Sequence, residues 1–463
     1  MAVRSLEDRF KTFFNPQSII IIGASRNEYT FNGVVVKNLL EAQYRGKINI
    51  YHPFTDELMG IKCLKTLDEI NAISPQPDLA IILTQHNILT TVEFLGQNNI
   101  QKIMIETDTS VKKSPFEAEQ LIINLENLAK KWDLQIMGPS MIGIIDFQNR
   151  FTSSVIPTRS HIIQPNLKNR PDKGVSFLAQ SGGLTGACGW WSPRQKIPFA
   201  KIIHIGKSIT ISEADILDFL FEDEATLLII LYLKDIPSTF IDVLLKNKQK
   251  KPVLYKCVGK DQIHEEAFQQ AGAIKVDNYI ELFEFAKVFL WCPPPKNNSV
   301  GIIGPSSGAI NLLISEMRNQ NIHLAPLSNE NRDAILDKVG GSTCALGNPV
   351  DFWPPKEFVG TQICQVYYNA SNSLLQDQNV GTLFLALEFF TEIEFNFSIF
   401  ENIKRRFPNK PIIAITIQAE REGQNRIIEI GTDLQIPVFV DEVERGIKAL
   451  KCLLKYYEKD DDS

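Results

Sequence analysis

The sequence predicts an α/β protein, with an N-terminal Rossmann-like domain followed by two flavodoxin-like parallel-sheet domains. Short, nearly continuous apolar runs alternate with amphipathic stretches along the whole chain. That is how strands read when crossover helices bury both of their faces. The series restarts twice, after the polar stretch Pro157–Lys173 and after Trp291-Cys-Pro-Pro-Pro-Lys-Asn-Asn298. Consecutive prolines favour an extended spacer, and 463 residues suit about three domains of ordinary size.

In the first third, Ser18–Ile22, Lys47–Tyr51, Leu79–Leu83, Lys102–Glu106 and Leu134–Met137 have strand length and composition. Val34–Gln43 and Phe116–Trp132 carry helical periodicity between them. Right-handed crossovers turn such a series into a doubly wound sheet. The second series comprises Gly174–Leu178, Ala200–His204, Thr226–Tyr232, Pro252–Tyr255 and Ala273–Val276. The third comprises Ser299–Ile303, Gly381–Leu385, Pro411–Ile415 and Pro437–Val440. The expected domains are therefore residues 1–150, 173–292 and 299–456, with linkers at 151–172 and 293–298 and a disordered tail at 457–463.

Composition narrows the function classes. Hydrophobic residues make up 44% and charged residues 22%, the profile of a globular protein with ample core. No apolar run approaches the roughly 20 residues of a membrane span, and the N-terminus lacks a signal-peptide core, so a cytoplasmic protein is expected. The net charge is −6 and the densest basic stretch, Lys246–Lys251, reads as a solvated helix end, which speaks against nucleic acid. The seven cysteines are scattered without a CxxC pair, so neither a disulfide framework nor a metal site is expected.

The first strand runs into Gly23-Ala-Ser-Arg-Asn-Glu-Tyr-Thr-Phe-Asn-Gly33 and then a helix. In a doubly wound sheet this is where backbone N–H groups and a helix N-terminus meet an anionic ligand. The loop is not GxGxxG; Ser25, Arg26, Thr30 and Asn32 supply side-chain donors in place of the middle glycine. A dinucleotide site wants a carboxylate at the end of the second strand. Here that strand ends Tyr51-His52-Pro53-Phe54, with no acid before Asp56, which demotes NAD.

Several segments, taken in order, resemble the NDP-forming acyl-CoA synthetases, relatives of the succinyl-CoA synthetase α subunit. They are Phe14–Ser25, His52–Gly60 with Leu67–Ile70, Ala179-Gln-Ser-Gly-Gly-Leu-Thr-Gly186, Ile205–Leu217, Gln269–Val276 and Gly347-Asn-Pro-Val-Asp351. The resemblance implies a CoA-binding first domain and a ligase-type second domain. It implies that Gly23, Ala24, Ser25, Arg26 and Thr30 meet the phosphates of CoA or acyl-CoA and that Tyr51 and Pro53 flank its nucleotide. Thr84 and Gln85 would line the pantetheine path, and Gly138 and Pro139 would close the far side. It also implies ATP chemistry through an ATP-grasp β subunit, in a homo- or hetero-oligomer, because no P-loop lysine follows Gly304-Pro-Ser-Ser-Gly308.

The family joins an acid to CoA through an acyl phosphate and a phosphohistidine on a mobile glycine-rich loop. Gln180, Ser181, Gly182 and Gly183 are the expected phosphate loop, or else a tight turn that uses glycine for backbone reasons. The family's histidine loop falls between Tyr255 and the Gln-Ala-Gly segment, where this chain has only Lys256–Phe268. Three catalytic candidates remain: His264, on an amphipathic run; His204, at the end of a strand; and Glu213, which in the family orients the histidine. Each also has a plain reading, as a surface or packing residue for His264, a satisfied strand-end histidine for His204, and a helix-start carboxylate for Glu213. Two functions follow: an α-type synthetase chain with an altered relay, or a CoA- or acyl-CoA-binding regulator or scaffold.

Overall fold

Ser18-Ile-Ile-Ile-Ile22 is buried along its whole length, as an apolar strand covered on both faces must be. It is β1 of a computed structural model that describes residues 6–108, 114–158, 173–191, 196–339, 347–352, 361–388 and 395–458. The chain divides into two units, Met1–Asp277 and Asn278–Ser463.

The first unit holds two sheets. With β2 (Lys47–Tyr51), β3 (Glu57–Leu58), β4 (Ile61–Leu64), β5 (Leu79–Ile82), β6 (Lys102–Ile105) and β7 (Gln135–Met137), the first sheet runs β3-β4-β2-β1-β5-β6-β7. Setting aside the antiparallel β3, this is the 3-2-1-4-5-6 order of the Rossmann fold, and strand order reverses between β1 and β5. The second sheet comprises β8 (Gly143–Asp146), β9 (Phe151–Thr152), β10 (Gly174–Ala179), β11 (Phe199–His204), β12 (Thr226–Leu233), β13 (Val253–Cys257) and β14 (Ile274–Lys275). Its parallel strands β10 to β14 follow the flavodoxin order 2-1-3-4-5, with the reversal between β10 and β12.

The expected boundary at residue 150 falls inside the β8–β9 hairpin, which belongs to the second sheet. β8 pairs antiparallel with β11, Ile145 opposite Ile202 and Gly143 opposite His204. Without it β11 would be an open edge with unpaired backbone groups. Charge fixes the pairing: Lys201 on β11, 2% exposed, lies 3.2 Å from Asp146 on β8 and 2.8 Å from Asp223. The segment before the hairpin also ties the sheets together. Lys207 N donates to Pro139 O at 2.8 Å and Ile136 N to the Thr210 hydroxyl at 2.7 Å. The helix Leu6–Phe14 adds a further tie, with Arg9 paired to Asp215 at 2.9 Å and Phe14 stacked on Phe219 at 5.0 Å. Of the expected linker at 151–172, residues 151–152 form β9, while 159–172 lie outside the described residues, as does most of the expected tail, 459–463.

The second unit begins before the proline spacer. The helix Glu281–Trp291 packs here, with Glu284 paired to Arg445 at 2.7 Å. The sheet comprises β15 (Ser299–Gly304), β16 (His323–Leu324), β17 (Val350–Asp351), β18 (Thr382–Leu387), β19 (Ile412–Thr416) and β20 (Val438–Val440). It runs β16-β15-β18-β19-β20, again 2-1-3-4-5, with β17 pairing β15. Asn348 stitches this sheet. Its amide donates to Val300 O (2.8 Å) and Ala325 O (2.9 Å) and accepts from Ile302 N (3.0 Å). Among the described residues no helix is long and apolar enough to cross a membrane.

Candidate functional site

Ligands of doubly wound sheets bind outside the carboxyl ends of the strands, where strand order reverses. In the first sheet that position lies between Gly23, after β1, and Thr84, after β5. Gly23 has φ +88°, and a Cβ there would lie 2.6 Å from Thr84 Cβ, so only glycine lets the two loops close on each other. Ala24 beside it is buried. Asn32 joins the loops from below, donating to Gly23 O at 3.0 Å and Leu83 O at 2.8 Å. Its amide is thus structural, contrary to the expectation that it meets phosphates.

Thr30 is likewise engaged. It is the N-cap of the helix Phe31–Glu41, accepting from Gly33 N at 3.3 Å and donating to Asn27 O at 2.7 Å. The Ser25 hydroxyl accepts from Asn27 N at 3.1 Å, which leaves its proton available. Arg26 reaches across to the β2 side. Its Nε donates to the Thr55 hydroxyl at 2.6 Å and a terminal nitrogen to Phe54 O at 3.2 Å. Three of its five N–H donors remain for an anion. Burial and the Arg26 charge push His52 below its ordinary value, so the end of β2 is a cationic rim with a neutral imidazole. Tyr51 is half-buried and Pro53 exposed, and Tyr29, Phe31 and Phe54 are 83%, 66% and 83% exposed around the same mouth.

On the far side, Gln85 donates to Asp108 O at 2.7 Å, and the Ser140 hydroxyl to the Asp108 carboxylate at 3.3 Å. Gly138 (φ +91°) and Pro139 turn the chain from β7 toward the second sheet, and a Cβ on Gly138 would meet Ile105 O at 2.3 Å. Four Cα steps from Gly138 reach Ile142, which supports the second cradle. At full extension that is about 14 Å, so the two carboxyl edges are closely tethered.

The second cradle follows β10. The helix Gly182–Trp191 starts there, and a Cβ on Gly183 would meet nothing within 4 Å, so its first turn opens onto free space. Gln180 is engaged at both ends. It donates to Glu213 at 2.7 Å, and its oxygen accepts from Lys234 N at 2.7 Å. Ser181 caps the helix through Leu184 N at 3.5 Å. Gln180 is therefore scaffold; Gly183 opens outward from the helix start, while Gly182 packs against Ile142 and His204.

His204, ending the neighbouring β11, accepts from Ile142 N through Nδ1 at 3.1 Å. Burial, and secondarily the Lys234 charge, push it down from 6.5 to about 4. Burial pushes Glu213 up, against Gln180 and Lys234. Lys234, directly after β12, thus acts on both groups and is a member of the site that sequence reasoning missed. The signal was present, since a lysine ending the longest apolar strand of this sheet marks its carboxyl edge. His264 is not brought in. It sits in the first turn of the helix Gln262–Gln270, paired with the capping Asp261 at 2.6 Å and half-buried. The connection that carries it is a short turn, where a Cβ on Gly259 would meet Lys234 O at 2.4 Å.

Residues 17–144 match a CoA-binding domain, and residues 172–259 match the succinyl-CoA ligase-like flavodoxin domain. The chain thus carries a CoA-binding domain and a succinyl-CoA ligase-like domain, and it is similar to ADP-forming acyl-CoA synthetases. It is 27% identical to the α subunit of the ADP-forming acetate–CoA ligase II of Pyrococcus furiosus over 80% of both chains. It is 28% identical to the ADP-forming acetate–CoA ligase of Methanocaldococcus jannaschii over 73% of this chain and 48% of that protein. The 4-hydroxybutyrate–CoA ligase of Nitrosopumilus maritimus is 26% identical over 80% of this chain and 53% of its own length. The chain thus spans about half the length of the longer relatives it matches.

Two solved structures share its fold. A Pyrococcus horikoshii protein (TM-score 0.82, 24% identity) covers 96% of this chain and is itself covered over 98%. The acetyl-coenzyme A synthetase 1 of Candidatus Korarchaeum cryptofilum (TM-score 0.82, 22% identity) covers 96%, with 97% of its own length matched. The donor set at the first edge fits CoA, the ligand of the matching CoA-binding domain. Arg26 has free N–H groups, the helix start is uncapped by carboxylate, and exposed aromatic faces stand ready for a base.

Proposed function

We propose that this chain is the α-type, CoA-binding chain of an NDP-forming acyl-CoA synthetase, completed by an ATP-grasp partner. Its phosphoryl transfer does not run through a histidine loop of its own. CoA supplies the thiol that accepts the acyl group. Arg26, Ser25 and the backbone of Gly23 and Ala24 hold its phosphates. Tyr51 and Pro53 flank its nucleotide, Thr84 and Gln85 line the pantetheine path, and Gly138 and Pro139 close the far side. Ser181, Gly182 and Gly183 form the phosphoryl cradle, whose N–H groups favour negative charge. The names of the relatives support the chemistry, and the two named as α subunits support a partner chain.

The observation that carries the reading is the switch-point geometry at both carboxyl edges: the Gly23–Thr84 closure beside Arg26, and the open first turn at Gly183 beside His204. A second reading, a CoA- or acyl-CoA-binding scaffold without turnover, draws on the closed Lys256–Phe268 connection and the helix-bound His264.

The test is calorimetric titration of the full chain with CoA, acetyl-CoA and NAD, followed by assay with an ATP-grasp partner and labelled ATP. CoA binding that Arg26→Ala weakens about tenfold or more, as expected for a lost charge-assisted contact, supports the CoA site. Acyl-CoA formation with the partner supports the synthetase, and CoA binding without turnover leaves the scaffold reading. An absence of CoA binding overturns both.

A further inference from the structure

The catalytic candidate His204 is held in one tautomer. Its Nδ1 accepts the Ile142 N–H at 3.1 Å, so in the neutral ring the proton sits on Nε2. Ile142 is anchored in turn, accepting from Val155 N at 3.1 Å through its carbonyl. The imidazole stays neutral near pH 7, because it is largely buried and the Lys234 charge opposes a second proton. Nε2 meets no partner among the described residues.

Nε2 also has a close neighbour in Gly182. The Cβ position of Gly182 lies 3.5 Å from Nε2, an ordinary contact, and 2.6 Å from Ile142 Cγ1, so a side chain at 182 would collide with Ile142 beside the ring. The Nε2 edge of the ring therefore lies beside the first turn of Gly182–Trp191. A nucleophilic imidazole attacks through a lone pair, and here Nε2 has none while the Nδ1 lone pair is already engaged by a backbone amide.

We propose that His204 serves the cradle as a neutral hydrogen-bond donor, its Nε2–H directed at a phosphoryl oxygen seated before Gly182 and Gly183, and that it is not the residue that takes the phosphoryl group. This rests on the phosphoryl-cradle reading above and adds the identity and protonation of the side-chain donor. A neutral donor stabilises oxyanion charge without itself changing protonation. Inorganic phosphate is the ligand class that matches a helix start, a hydroxyl at Ser181 and an imidazole N–H together.

The test uses the full chain with inorganic phosphate as probe and acetate as the carboxylate control. Imidazole nitrogen NMR reads the tautomer, and titration reads affinity for wild type, His204→Leu and His204→Gln. The expected result is an Nε2–H tautomer at neutral pH whose Nε2 resonance shifts with phosphate and not with acetate. His204→Leu weakens phosphate about tenfold or more, while His204→Gln, which returns an amide N–H near the Nε2 position, recovers most of it. Phosphate binding unchanged in His204→Leu overturns the role of His204 and leaves the cradle standing. No phosphate binding by the wild type overturns both. An Nδ1–H tautomer, a response to acetate alone, or an ATP-derived phosphoryl label on His204 overturns the proposal as well.

Discussion

Glu106 directly follows β6 and points into the core of the first unit, 3% exposed, with neither carboxyl oxygen hydrogen-bonded. The Ser153 hydroxyl lies close enough to favour the ionised form, yet outside hydrogen-bond geometry. Burial dominates and pushes the carboxyl up from 4.5 to about 8. A carboxyl raised on folding keeps a proton that the unfolded chain releases. The stability it permits is therefore highest below the unfolded value and falls as pH rises from 4.5 toward 8. At one unit of pKa to about 1.4 kcal/mol, the penalty is under about 1 kcal/mol at pH 5 and about 3 kcal/mol at pH 7.

Glu106→Gln keeps the shape and cannot ionise, so its stability relative to wild type should rise by about 2 kcal/mol between pH 5 and pH 7. Urea unfolding of both proteins at several pH values between 5 and 8 measures this. His204, whose pKa is lowered to about 4, removes stability as pH falls below 6.5, the opposite slope, and it cancels in the difference because both proteins carry it. A difference that stays flat from pH 5 to 8 refutes the assignment of Glu106 as a neutral buried acid.

The remaining predictions concern the geometry around the two edges and the second unit. Gly23→Ala combines a left-handed φ of +88° with a Cβ 2.6 Å from Thr84; it should cost about 1–3 kcal/mol and abolish CoA binding by calorimetry, and unchanged binding would show that the loops are not closed on each other. Lys201→Ala leaves Asp146 and Asp223 without their buried cation, a loss of about 3–5 kcal/mol by urea unfolding; a loss under about 1 kcal/mol would mean the trio is solvated. Asn348→Ala removes three hydrogen bonds within the second unit and should destabilise it by about 2–3 kcal/mol, read as earlier loss of amide protection in β15; unaltered protection would refute the stitch.

Much of the molecule was legible in its residues. Ser18–Ile22 became a strand with those very limits, because a strand buried on both faces has to be apolar throughout, and Lys47–Tyr51 kept its limits as well, although only Ile50 in it is buried. The order of three αβ series likewise announced the doubly wound sheets. The short hairpins did not announce themselves. β3 with β4, and β8 with β9, are two to four residues long and follow no periodicity that a sequence window resolves. Their pairing depends on which strand edge is left open.

What tertiary structure alone decided is the employment of each polar group. Asn32, Thr30 and Gln180 look like free donors in the sequence, but each is engaged by backbone partners or side chains that folding brings together. His204 and His264 are equivalent as letters. One is locked by a backbone amide 62 residues earlier and faces a helix start, while the other pairs with its own N-cap. Composition and spacing determine which strands are buried and where loops open. The state of a histidine or a glutamate depends on its desolvation and its partners, and both are set by residues distant in the chain.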